Sequence, residues 1–93
     1  MFVMSCRLDL LLIEGNSLKE KRQVIRSIIE RLQHRFNISI AEVGYLEALR
    51  RAEIGIAMVG NSIPHLEKKT GKLIDFVEKD GRVEILNIER EIY

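Results

Sequence analysis

The stretch MSCRLDLLLIEGNSLKEKRQVIRSIIERLQHRF, residues 4–36, decides the fold because its hydrophobic period changes partway along. From Met4 to Leu12 every second residue is apolar, which is typical of a strand with one buried face. From Ser17 the apolar residues recur every three or four positions, as they do along one face of a helix. Ser17 and Glu20 also have the spacing of a capping box, which marks the start of that helix. The stretch therefore predicts a strand that leads into a helix.

The rest of the chain continues this pattern with three more strands and a second helix. The predicted elements are a strand over 2–14, a helix over 17–36, strands over 38–43 and 53–59, a helix over 62–79 and a strand over 83–92, with a connector of helical bias over 45–52. The order strand, helix, strand, strand, helix, strand is that of the ferredoxin-like β-α-β-β-α-β fold of the α+β class. We expect a four-stranded antiparallel sheet with two helices on one face and the first and third strands in its centre.

Length and composition indicate a globular protein with no metal and no cofactor. The 93 residues fit a single domain over 1–93, and a hydrophobic share of 46% argues against disorder. The lone Cys6 excludes an internal disulfide, and its place on the apolar side of the first strand indicates a core residue. His34 and His65 stand far apart, and no phosphate-binding loop is visible. We therefore expect a non-enzymatic protein without catalytic residues.

The chain shows neither a signal-peptide layout nor an apolar run that could cross a membrane. Its longest apolar run, residues 10–13, is far too short to span a bilayer. We therefore expect a cytoplasmic protein without a membrane partner. The net charge is only +1, so any attraction to nucleic acid must come from a local patch.

Such a basic patch occurs at the start of the first helix, on Lys19, Lys21, Arg22 and Arg26. The helix dipole disfavours cations there, so an anionic partner would relieve an unfavourable arrangement. One interpretation is an RNA-phosphate contact on these four residues, with RNA or the ribosome as partner. The alternative is a solvated helix face whose charges are balanced by acidic residues elsewhere, such as Glu84, Glu89 and Glu91. For Lys21, which lies nearest the apolar stripe, we expect a packed stem and an ammonium group that extends outward.

The uncovered face of the sheet is the second candidate surface. Outward-facing residues of the two central strands would be Arg7, Asp9, Gly55, Ala57 and Val59. RNA-binding proteins of this topology stack bases on aromatic residues at such positions, and none is present here. Small and apolar side chains suit close packing against protein, which favours a homodimer interface on these five residues. An ordinary exposed sheet surface is the alternative.

Two smaller features complete the prediction. Gly71 lies inside the second helix, where glycine is unfavourable, and this predicts a close approach of the other helix. Charged residues cluster near the strand ends, which favours salt-bridge networks over a metal or acid–base site. They are Glu42, Arg51, Glu53, Glu89, Arg90 and Glu91.

Four segments of the chain together resemble a known family. They are Ser17 to Arg22 with Arg26 and Ser27, Phe36 to Gly44, Arg51 to Ala57, and Ile88 to Ile92. These segments resemble the YlxP-like proteins, which are small bacterial proteins without an assigned biochemical function. The resemblance spans nearly the whole chain and implies a ferredoxin-like domain with no known catalytic residues. Family members are often encoded near genes for translation initiation and ribosome assembly, including ribosome-binding factor A, which implies a ribosomal context. The chain departs from the family pattern at Leu49, where tryptophan is common.

Overall fold

The computed structural model describes the whole chain, residues 1–93, and contains the six predicted elements in the predicted order. They are β1 (Phe2–Leu12), α1 (Leu18–Arg35), β2 (Ser39–Gly44), β3 (Arg51–Gly60), α2 (Ile63–Glu78) and β4 (Val83–Ile92). The predicted bounds agree with these to within two residues at every end. Neither helix combines the length and the apolar character that a membrane crossing would require.

All strands pair antiparallel in one sheet with the order β2-β3-β1-β4. The central placement of the first and third strands is therefore confirmed, and the fold is ferredoxin-like. The register places Arg7 of β1 between Gly55 of β3 and Glu89 of β4. Between Asp9 and Leu10 the pairing of β1 with β4 shifts by one residue, so Leu86 lies in a bulge.

The core lies between the sheet and the two helices. Alternate residues of β1 from Met4 to Leu12 are at most 2% exposed, which confirms the face assignment made from their period. The first helix adds Ile25, Ile28 and Leu32 to the same cluster. The opposite face of the sheet carries no helix, so the side chains that point to it remain accessible.

Both helices begin where their capping residues predict. Ser17 Oγ accepts a hydrogen bond of 3.1 Å from the Glu20 amide. The Glu20 carboxylate accepts 2.9 Å from the amide of Asn16, one residue before the position a capping box uses. Ser62 caps α2 in the same way, with Pro64 in the first turn.

Two local expectations are wrong. The connector after β2 forms turns and bends without a helix, because only residues 45–50 link two paired strands. Its single internal backbone bond runs from the Ala48 amide to the Tyr45 carbonyl. The close helix approach expected at Gly71 is also absent, since a Cβ there would meet nothing within 4 Å.

Candidate functional site

Three of the four cations predicted at the start of α1 lie together on the surface. Lys19, Arg22 and Arg26 are exposed, and none of them takes part in an ion pair or a side-chain hydrogen bond. The acidic residues Glu84, Glu89 and Glu91 form no ion pair with them. Among these, Glu89 contacts Arg7 instead. These three residues are called the basic patch below.

Lys21 does not belong to that patch, and its predicted outward extension is wrong. Its side chain is 0% exposed, and Nζ lies 3.1 Å from the Glu42 Oε2 atom of β2. That carboxylate oxygen is itself buried and accepts no hydrogen bond of good geometry, so the pair is held by charge. Lys21 therefore cannot contact phosphate in this conformation.

A sequence signal for this burial was available. Lys21 precedes Ile25, Ile28 and Leu32 by four, seven and eleven positions, which places it within the buried stripe. Residues of β2 alternate between exposed and half-buried, and Glu42 is one of the half-buried residues, which face the helices. Each signal is local, and only the packing of α1 on β2 joins the two residues.

The buried ammonium also positions the connector between β2 and β3. Lys21 Nζ donates a hydrogen bond to the Tyr45 carbonyl oxygen. Tyr45 has a φ of 56°, which is uncommon for a residue other than glycine. The Arg51 guanidinium lies 4.6 Å from the centre of the Tyr45 ring, so a second cation holds the same residue. Arg50 donates to the carbonyls of residues 12 and 13. The connector is thus fixed at several points.

The open sheet face carries the salt-bridge network that its charges predict. Arg51 donates bonds of 2.7 and 2.8 Å to the two Asp9 oxygens, and this hydrogen bonding raises the pKa of Arg51. Arg7 contacts Glu53 at 3.2 Å and Glu89 at 3.5 Å. The charges in the middle of this face are therefore paired within the chain.

The remaining residues predicted for a sheet-face interface lie beside that network. Ala57 is exposed, and Val59 is 63% exposed. Gly55 is overlaid by Val43, whose Cγ1 would stand 3.0 Å from an added Cβ. Val43 is 51% exposed, so it presents its own surface in place of Gly55. The open sheet face thus has ion pairs at its centre and exposed aliphatic side chains beside them.

A groove between the two helices is a surface that the sequence did not indicate as one unit. It encloses about 670 Å³. Its lining includes Arg31 and Arg35 from α1 and Lys72 and Lys79 at α2. This surface is called the interhelical groove below.

The groups expected to be chemically inert remain apart. Cys6 is buried, and burial raises the pKa of its thiol, partly opposed by the charge of Arg90. No three side chains among the His, Cys, Asp and Glu residues come together as a metal-binding cluster.

Comparison with known proteins identifies a family, a relative of similar sequence and solved structures of similar fold. Residues 3–90 match the family model described as "Protein of unknown function (DUF503)". The chain is 36% identical over 76 residues to the "Uncharacterized protein YlxP" of Bacillus subtilis (strain 168), covering 82% of this chain and 83% of that protein.

The structural likenesses concern the fold alone. LarC2, described as the C-terminal domain of a cyclometallase involved in the synthesis of the NPN cofactor of lactate racemase, aligns with a TM-score of 0.54 and 8% identity. That alignment covers all of this chain but only 55% of the LarC2 chain. A dimeric ferredoxin-like protein from an uncultured marine organism aligns over 100% of this chain and 96% of its own, with a TM-score of 0.49 and 12% identity.

Proposed function

The chain belongs to the YlxP-like family described by DUF503, and we propose that it is a non-enzymatic cytoplasmic protein that binds RNA or the ribosome through its first helix. The observation that carries this proposal is the basic patch of Lys19, Arg22 and Arg26, three exposed cations without an intramolecular partner. Lys19 lies in the first turn of α1, where the helix dipole disfavours a cation, and a phosphate group would offset that cost.

The division of charge between the two faces supports an approach from the helix side. The first helix exposes five cations and two carboxylates: Lys19, Arg22, Arg26, Arg31 and Arg35 against Glu20 and Glu30. By register, the open sheet face carries two cations and five carboxylates: Arg7 and Arg51 against Asp9, Glu53, Glu84, Glu89 and Glu91. RNA is therefore attracted to the helices and repelled by the sheet face.

The test is a salt titration of RNA binding by the triple variant Lys19→Gln/Arg22→Gln/Arg26→Gln. If each residue contacts one phosphate of a single strand, the slope of log affinity against log salt falls by about 2. The fold should stay intact, because none of the three side chains has a partner to lose.

The matched control keeps the charges and exchanges the side chains, as Lys19→Arg/Arg22→Lys/Arg26→Lys. It should retain the wild-type slope, because counterion release depends on charge. An unchanged slope in the glutamine variant would contradict the proposal and leave the basic patch as a solvated helix face.

A second candidate function is a homo-oligomeric interaction module that docks through the open sheet face. The exposed aliphatic surface of Ala57 and Val59 favours it. Arg7 is paired with Glu53 and Asp9 with Arg51, which lowers the cost of covering these charges. Val59→Lys should weaken a dimer in sedimentation velocity, whereas Ile13→Lys, at an exposed residue after β1, should not. A wild-type protein that stays monomeric at high micromolar concentration would rule this candidate out.

A further inference from the structure

We infer that the interhelical groove is a second contact site for the RNA sugar-phosphate backbone, separate from the basic patch. This inference rests on the proposed function and extends it to a surface built by both helices. On a helical wheel, Arg31 and Arg35 lie on the flank of α1 opposite to the basic patch. A strand in the groove would therefore use cations that the patch does not.

The groove exists because the two helices lie side by side and run in opposite directions. Near the middle of α1, the Ser27 hydroxyl accepts a hydrogen bond of 3.2 Å from the guanidinium of Arg82, which lies just beyond the C-terminal end of α2. The Arg35 guanidinium lies 5.2 Å from the centre of the Phe76 ring. Further along, Lys69 donates 2.8 Å to the Asn37 carbonyl. The sides of the groove are thus tied together at three levels.

The cations of the groove are available to a ligand. Arg31, Lys72 and Lys79 take part in no ion pair. Lys79 does not pair even with Asp75, which lies four residues before it on the chain. The groove also contains Asp75 and Asp80. Asp80 is already paired with Arg82 at 2.7 Å, and these hydrogen bonds lower the pKa of the carboxyl group. Asp75 is thus the one lining carboxylate without a cation partner.

The dimensions fit a polymer better than a mononucleotide. The basic lining continues past Lys72 into an adjoining hollow of about 300 Å³ that contains Lys68 and Lys69. From Lys68 to Lys79 a helical path measures about 16 Å. A nucleic-acid strand places several phosphates over such a length, at about one per 3.4 Å in a regular duplex.

The aromatic residues of the groove do not form a base-stacking platform. Phe36 and Phe76 pack edge to face with ring centres 6.4 Å apart, and Arg35 lies over the Phe76 ring. Base stacking needs an accessible ring face, so the contacts available here are charge contacts to phosphate. Binding in the groove is therefore independent of RNA sequence.

The experiment compares two double variants with equal charge change. Arg31→Gln/Lys72→Gln removes two groove cations, and Lys19→Gln/Arg22→Gln removes two patch cations. The probe is a fluorescently labelled single-stranded RNA, and its anisotropy is measured across a range of KCl concentrations. Each variant should lose on the order of ten-fold in affinity at 0.1 M salt, and its salt slope should fall by about 1.4. The charge-preserving variant Arg31→Lys/Lys72→Arg should behave as wild type.

The outcomes separate the groove from the proposed function. Loss of affinity in the patch variant with full retention in the groove variant overturns the inference and leaves RNA binding through α1 intact. Absence of binding by the wild type at low salt overturns both. Tighter binding of polyglutamate than of RNA, lost in the groove variant, identifies an acidic protein as occupant and also overturns the inference. If the first groove variant is unstable, Lys68→Gln/Lys79→Gln tests the same surface from α2 alone.

Discussion

At the scale of single residues, the buried ion pair of Lys21 and Glu42 is expected to have the largest effect on the free energy of unfolding. Lys21→Met should destabilise the protein by about 3 kcal/mol, because it leaves the Glu42 carboxylate at the core edge without its cation. Thermal or urea unfolding measures the loss. The double variant Lys21→Met/Glu42→Leu should recover most of it, since no buried charge then remains unpaired. A double variant as unstable as the single one would mean that the bond from Lys21 to Tyr45 is the important contact.

The ion pair of Asp80 and Arg82 makes the free energy of unfolding depend on pH. Its side-chain hydrogen bonds with Arg82 hold the pKa of Asp80 below the ordinary 3.8. The pair therefore stabilises the fold above about pH 4, and this contribution is lost as the pH falls through the folded pKa. Asp80→Asn should cost about 1–2 kcal/mol at pH 6 and progressively less as the pH falls through the folded pKa. Asp75→Asn, at an exposed residue without an ion pair, is the matched control and should change the free energy of unfolding at pH 6 by less than Asp80→Asn.

At the scale of the element, α2 contains an avoidable instability. Gly71→Ala should stabilise the protein by about 0.5–1 kcal/mol, because the new Cβ meets nothing within 4 Å and the unfolded chain loses freedom. The comparison is Gly55→Ala in β3, whose Cβ would stand 3.0 Å from Val43 Cγ1. That substitution should stabilise less than Gly71→Ala or not at all, because Val43 must shift by a few tenths of an ångström to admit the new Cβ. Equal effects of the two substitutions in urea unfolding would show that space around the Cβ does not decide the outcome.

At the scale of the whole molecule, the strand order determines which backbone hydrogen bonds of the sheet open least often. Native-state hydrogen exchange should find the amides of β1 and β3 most protected, because each strand pairs on both sides. The edge strand β2 pairs on one side only and should exchange faster. Protection of β2 equal to that of β3 would contradict this expectation for the monomer and would instead indicate that another chain covers the β2 edge.

At the same scale, a chain of net charge +1 presents one basic face and one acidic face. The fold places excess cations on the helix layer and excess carboxylates on the open sheet face. Overall charge is therefore a poor guide to the local field. The two proposed partners, RNA for the helices and protein for the sheet, use different faces and do not exclude each other.

The sequence by itself determined the order of elements, their bounds to within two residues, and the buried faces of β1 and α1. Alternation in β1, the helical stripe in α1 and the serine caps are local signals, because they depend on backbone geometry within a few residues. The antiparallel order with β1 and β3 central followed from the connection rules of this topology. The exposed positions of Lys19, Arg22 and Arg26 followed from the same helical period.

Only the tertiary structure decided which side chains from separate elements meet. The pairing of Lys21 with Glu42 depends on α1 packing on β2, so a local pattern could place each residue near the core but not assign its partner. The interhelical groove likewise joins Arg31 of α1 and Lys72 of α2, which lie far apart along the chain. The physical reason is that periodicity encodes burial, whereas contact between distant groups depends on the packing of whole elements against one another.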